Sequence, residues 1–404
     1  VIQISDEPFP LDCDPTLPGH PNPYPLYHRL RQDDSVHYSS PSKVWMLTRY
    51  ADALAYLRDP NFSRVAYLDL IRAQFGADHP IVAFQSRELA FTDPPQHSWL
   101  RAIMAKAFSP QRIASMRPHI EAAVDAALER AAARGAMEAI ADFAYPIPAD
   151  VISAMLGVPR EDWATVRGWV EGIVVSRGLL RSSEMMEAGA RATQSFHDYL
   201  DRLIEAKRKS PQEDLLSALL SARHEGRGME PEGIVTMIET LFAAGHATTR
   251  NLIANGLIAL LSHPDQHRKL RENPALITGA IEEMLRYDPP TQAPSPQVAT
   301  AQCEIGGRVI RRGEMVSVLF GATNRDPARF DEPDQFDIER RDNEHLSFSH
   351  GIHYCLGAGL ARLEAQVAVG AIVARFPGLR LSSAQIEWAQ EGRFRGPRAL
   401  ALEF

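Results

Sequence analysis

The sequence predicts a mainly α protein with a small β part, and three observations lead there. Apolar residues recur at three- and four-residue spacing through most of the chain from Pro94 to Ser262, as amphipathic helices require. A second apolar helical run, "AGLARLEAQVAVGAIVARF", begins just after Cys355. Strand-like alternation is confined to short stretches at 36–50, at 298–320 and in the C-terminal tail.

Taken in order, the first 35 residues are rich in proline and aspartate and read as an irregular arm. "VHYSSPSKVWMLTRY" then holds two short strands around a turn, and "ADALAYLRD" a short helix. "QRIASMRPHIEAAVDAALERAAARG" reads as a helix stopped by Gly135, and "PIPADVISAMLGVP" as another bounded by prolines. The longest run, "EPEGIVTMIETLFAAGHATTRNLIANGLIALLSHP", has apolar or small residues on nearly every face, so it is expected to be buried along most of its length. After Pro289 the texture changes to a small sheet turning at Gly306-Gly307, and then to a long coil, "NRDPARFDEPDQFDIERRDNEHL". No repeat and no low-complexity linker interrupts the chain, so residues 1–404 are expected to form one large body rather than two tethered domains.

Composition narrows the function. Net charge is −8, and no run of like charges makes a basic arm, so a nucleic-acid partner is not expected. No apolar stretch is long enough to span a bilayer, and the acidic, polar start does not suit a signal peptide or membrane anchor. Cys13, Cys303 and Cys355 form no CxxC pair and no disulfide framework. That usage suits a reducing cytoplasm.

Cys355 lies in "FSHGIHYCLG", residues 348–357, just ahead of a helix start. Unpaired amides and the helix dipole there favour a thiolate. Gly351 and Gly357 let backbone approach a flat ligand, Phe348 can cover the sulfur, and His353 can donate to a carboxylate. One thiolate suits a metal that brings its other ligands with it, such as haem iron, better than zinc. The alternative is a small buried hydrophobe.

The stretch matches the cysteine-loop pattern F-x-x-G-x-H/R-x-C-x-G, and the chain resembles the bacterial soluble branch of the cytochrome P-450 family from "VWMLTRY" to its tail. The resemblance implies a triangular helical body enclosing haem b between a long central helix and the cysteine loop, with Cys355 as axial iron ligand. It departs from the family at Ser349, where Gly is frequent, and at Gly359, where Pro is frequent; Gly359 loosens the following helix by up to ~1 kcal/mol.

In "AAGHATT", Ala244 and Thr248 share a helix face without bulk. Thr248 can return its hydroxyl to a carbonyl one turn back and bend the helix; taken alone, the small residues could equally serve close helix packing. The family pattern A/G-G-x-D/E-T-T/S makes Thr248 the oxygen-activating threonine. Its acid position falls on Ala247, which carries no proton. Water and Thr248 alone, His246 or the substrate, or a chemistry without an efficient relay then remain open.

"DPPQHSWLR" sets His97 and Arg101 four apart on a helix. Alone they are a solvated polar face; by resemblance they clamp the haem propionates together with His353. The further clamp position, usually Arg, falls on Gln297. Glu283 and Arg286 in "EEMLR" read locally as a surface ion pair. By resemblance they are the E-x-x-R pair, locked to an arginine of the coil, with Arg340 the candidate and Arg341 the alternative.

The resemblance implies a cytoplasmic, monomeric haem-thiolate monooxygenase that uses dioxygen to hydroxylate or epoxidise a lipophilic small molecule, such as a natural product. The chain ends soon after the haem region, so electrons are expected from a separate ferredoxin and ferredoxin reductase docking near Arg112 and Arg362. A peroxide-driven, coupling or rearrangement enzyme is the alternative that Ala247 raises, and a haem-bearing sensor or binding module the non-enzymatic one. The pocket is expected to draw on roughly residues 62–90, 168–182, 237–245, 290–296 and 392–396; "GRFRGPRAL" near the end reads as a solvated turn, which by resemblance can reach that pocket.

Overall fold

The computed structural model describes residues 22–76, 80–176, 183–383, 385–389 and 393–404. Cys13 and most of the expected N-terminal arm lie outside the described residues. The rest of that arm is not irregular. Tyr24–Asp33 is a helix, opened by Pro25 near its start, where the missing N–H costs no hydrogen bond. Tyr24, Tyr27 and Leu30 bury one face of it, the Tyr24 hydroxyl donates to Asp288 at 2.6 Å, and Arg325 stacks on the Tyr24 ring at 3.5 Å.

Strands β1 (Val36–Ser39) and β2 (Val44–Leu47) form the expected hairpin. With β3 (Phe62–Ser63), β5 (Gln297–Ala299) and β8 (Met315–Val318) they make a five-stranded sheet in the order β1-β2-β8-β5-β3. Between β5 and β8, β6 (Cys303–Ile305) and β7 (Arg308–Ile310) pair separately as a small hairpin. The third sheet joins β4 (Ala136–Glu138), β10 (Ala401–Glu403) and β9 (Arg380–Leu381).

The run predicted as one helix over 111–135 is two, Pro110–Ser115 and Arg117–Ala132. Pro118 is the cause, because proline disfavours helical geometry at the preceding residue and lacks an N–H. The central helix, Pro231–Leu261, is continuous. Leu252, Ile253, Leu257 and Leu260 are each at most 2% exposed and pack into the larger core beside Ile281 and Val369. The helix after Cys355, Ala358–Arg375, runs through the same core; a Cβ on Gly359 would stand 3.1 Å from Ile113, so this departure suits the neighbouring short helix.

Glu283 and Arg286 are not at the surface. Both side chains are fully buried. Arg286 donates twice to Glu283 at 2.8 Å and to the carbonyls of Asn324, Pro333 and Gln335 at 2.7–2.9 Å. Glu283 also accepts from Arg340 Nε at 3.1 Å, Asn343 at 3.1 Å and the Asp337 amide at 2.9 Å. Arg340 is thus the arginine that locks the coil.

Replacing Glu283 with Ala leaves two guanidiniums facing no anion, one of them wholly buried. Loss of one partner of a buried pair costs about 3–5 kcal/mol. Denaturant unfolding of Glu283→Ala is expected to show a destabilisation of that order together with reduced haem incorporation; a change below about 1 kcal/mol would show that the network contributes little.

Candidate active site

A cavity of about 300 Å³ lies between the central helix and the cysteine loop. It is lined by His97, Arg101, Thr248, His353 and Cys355, five residues from three separate parts of the sequence. Of the expected pocket segments, Arg64, Leu89, Ala90, the 237–245 face and Pro294 contribute, whereas 168–176 and 393–396 do not; residues 177–182 and 392 lie outside the described residues. A larger open groove of about 640 Å³ between Ser109 and Ser221 holds Arg112 but none of the residues just named.

Backbone geometry presents Cys355. Its amide donates to the Phe348 carbonyl at 2.9 Å, closing the loop. Gly351 turns it at φ +70°, and a Cβ there would stand 2.5 Å from the Leu57 carbonyl. Ser349 also sits at positive φ, +62°, which explains why glycine suits this position. The amides of Gly357 and Ala358, with Arg101 and Arg362, pull the thiol pKa down as the helix start predicts, but burial outweighs them and the net shift is upward. A bound cation is what deprotonates a coordinating thiol.

Arg362 is committed locally. It donates to both oxygens of Glu282 at 2.7 and 2.8 Å and stacks on Phe348 at 4.5 Å, bracing the loop.

His97 and His353 pack ring to ring at 4.6 Å, and Nε2 of each is buried with no hydrogen-bond partner. Burial, aided by the charges of Arg64 and His97, lowers the His353 pKa to about 3; burial and Arg101 lower that of His97. Each is neutral at pH 7 and keeps an N–H to offer. Arg101 lines the same space, with no ion-pair partner among the described residues. Gln297 does not join them, because its amide donates to the Phe62 carbonyl across the β3–β5 pair at 3.3 Å.

Thr248 returns its hydroxyl to Ala244 O at 2.6 Å, as expected, while the helix continues without a break. Gly245 lets Ile152 pack against the helix, since a Cβ there would come within 2.5 Å of Ile152 Cδ1 and that side chain would have to shift. His246 points elsewhere: its Nε2 meets the Tyr145 carbonyl at 2.9 Å, its ring packs edge-on to Tyr145, and burial lowers its pKa to about 4. The cytochrome P-450 family model matches residues 171–385. Over 389 residues the chain is 39% identical to the biotin biosynthesis cytochrome P-450 of Bacillus subtilis (strain 168), covering 94% of each chain. The chain belongs to the cytochrome P-450 family.

It is also 38% identical over 394 residues to the cytochrome P-450 monooxygenase PikC of Streptomyces venezuelae, covering 95% of this chain and 91% of that one. Among solved structures it resembles P-450BioI in complex with hexadec-9Z-enoic acid ligated acyl carrier protein. There the TM-score is 0.86 at 37% identity, over 95% of this chain and 98% of that one. As a cytochrome P-450 it is a monooxygenase that binds haem b through a cysteine thiolate. The residues present fit that group: a sulfur faces the cavity, and orphaned, desolvated donors stand where carboxylates would be met.

Arg64 and Glu364 line the cavity with no role assigned from the sequence, Arg64 falling only within the broad expected segment 62–90. Arg64 follows "FS" at the end of β3 with no spacing signal. Glu364, in "ARLEAQ", is 2% exposed, lines the cavity and has an unpartnered buried Oε2; only its place on an otherwise apolar helix face hinted at it. Burial alone raises its pKa to about 8.

A buried carboxyl of raised pKa stabilises the fold fully below about pH 4.5 and loses that contribution as pH climbs through about 8. Wild-type unfolding free energy is expected to fall by about 3 kcal/mol more than that of Glu364→Gln between pH 5 and 8. Parallel pH profiles would contradict the assignment. Ser349→Gly relieves the left-handed strain and is expected to stabilise by up to ~1 kcal/mol in urea unfolding.

Proposed function

We propose that the protein is a haem-thiolate monooxygenase that hydroxylates or epoxidises a lipophilic natural product, in which Cys355 would ligate the iron and His97, Arg101 and His353 would hold the propionates. The observation that carries this reading is the convergence of Cys355, the two orphaned imidazoles and Thr248 on one cavity. Bound haem supplies the reductive activation of dioxygen and the insertion of one oxygen atom into the substrate. The protein's part is to position, desolvate and deliver protons.

Leu89, Ala90, Ile152, Met237 and Leu241 make much of the cavity wall apolar, so an alkyl or polyketide-like skeleton is favoured over a polar one. Thr248 is the hydroxyl at hand. Its proton lies on Ala244 O in the resting arrangement, and turning it into the cavity exchanges that bond for one to a ligand or water. Ala247 offers no proton, and His246 is held neutral against Tyr145. Proton delivery therefore falls to Thr248 and cavity water. The same feature favours a second reading, a peroxide-driven enzyme that dispenses with an efficient relay.

The working protein in this reading is a cytoplasmic monomer acting as one haem domain, with electrons from a separate ferredoxin and its reductase. Among the described residues no helix is long and apolar enough to cross a membrane.

Titrating the ferric protein with fatty acids, macrolides and steroids is expected to shift the Soret band toward high spin for at least one class. A spectrum lacking thiolate character would overturn the reading at Cys355. Thr248→Ala, supplied with a surrogate ferredoxin and reductase, is expected to keep consuming NADH while product per NADH falls several-fold and hydrogen peroxide rises. Full turnover with peroxide alone, unchanged by Thr248→Ala, would favour the second reading.

A further inference from the structure

We propose that Arg64 is an additional haem-propionate ligand, supplying from the start of the Arg64–Phe75 helix the guanidinium that Gln297 does not supply from β5. The inference rests on the propionate role of His97, Arg101 and His353. Arg64 is 6% exposed and lines the same cavity as those three residues. Its Nη1 donates to the carbonyls of Ser295 and Pro296, which orients the planar fork. Its Nε is buried with no hydrogen-bond partner.

Among the described residues no carboxylate stands within ion-pair distance of this guanidinium. Asp93, the nearest candidate, is spent on the helix start, accepting from Ser63 Oγ and from the amides of Arg64 and Val65 at 2.5–3.2 Å. Arg393 adds a second cation at the same place, donating to Ser295 Oγ at 2.6 Å, again without an ion pair among the described residues. A desolvated guanidinium beside another cation is costly unless an anion joins it. Arg64 and His353 line the same cavity, so the anion that Arg64 faces is the one His353 serves. The strand pairing brings the two positions together: Gln297 is tied to Phe62 O, two residues before Arg64, and Arg64 directly follows β3, the strand that pairs with β5.

The test is the rate at which the ferric holoprotein yields its haem to excess apomyoglobin, for wild type, Arg64→Lys, Arg64→Met and His353→Ala. Circular dichroism and unfolding midpoints show whether each variant is folded. Arg64→Met is expected to lose haem at least ten-fold faster than wild type, with Arg64→Lys in between because it keeps the charge and loses the fork. Equal rates for Lys and Met would show that charge is irrelevant and overturn the proposal. So would a wild-type rate in Arg64→Met while His353→Ala is fast. If His353→Ala also keeps the wild-type rate, the propionate reading itself has failed. A wild-type haem-loss rate in Arg64→Met combined with loss of the spin shift for fatty acids, but not for neutral ligands, would assign Arg64 to a substrate carboxylate and overturn it as well.

Discussion

The Glu283 carboxylate, fully buried, accepts hydrogen bonds from Arg286, Arg340, Asn343 and the Asp337 amide. Each donor comes from a stretch with little regular structure, except Arg286 one turn along the same helix. Arg286 in turn gathers the carbonyls of Asn324, Pro333 and Gln335. The coil after residue 324 has no sheet or helix to hold it, so its backbone groups depend on this cluster. From Asn324 the order passes on: its side chain holds the Leu346 amide and Ser347 Oγ, and Ser347 is tied back to Leu285 O. Phe348 and the cysteine loop begin at the next residue. A buried ion network far from the chemistry thus fixes where the sulfur sits.

The cavity is lined by cationic and buried polar groups that lack partners. His97, His353 and Arg64 each keep a buried nitrogen without a partner, and burial holds both imidazoles neutral. Unsatisfied donors destabilise the fold, and they are tolerated where a ligand restores the missing bonds. The same burial raises the Cys355 thiol and the Glu364 carboxyl. Cation donors and protonated acids around one space form an environment ready for a dianionic, metal-bearing cofactor.

On the central helix, packing and chemistry are separated by angle. Gly245 admits Ile152, His246 turns to Tyr145, and Thr248 and Ala244 face the cavity. Residues two apart on a helix point nearly opposite ways, so His246 cannot serve the space that Thr248 serves. The alternative relay through His246 is closed by helical geometry, not by its titration.

The short motifs were legible because their chemistry is local. The cysteine loop needs a left-handed turn at Gly351 and a sulfur at a helix start, and both are written within ten residues. The long apolar helices were legible from period alone. Errors came where one residue type has two uses: in the proline-rich stretch read as an irregular arm, Pro25 opens a helix, and Pro118 splits a helix whose apolar spacing continues across it. By itself the sequence determined the helical class, the ligand loop and the pairs Glu283–Arg286 and Ala244–Thr248, since each depends on neighbours one turn away. Only the tertiary structure decided that Arg340 meets Glu283, that Arg362 is spent on Glu282, and that Arg64 and Glu364 face the cavity. Those outcomes depend on desolvation and on contacts between distant segments, which no spacing along the chain encodes.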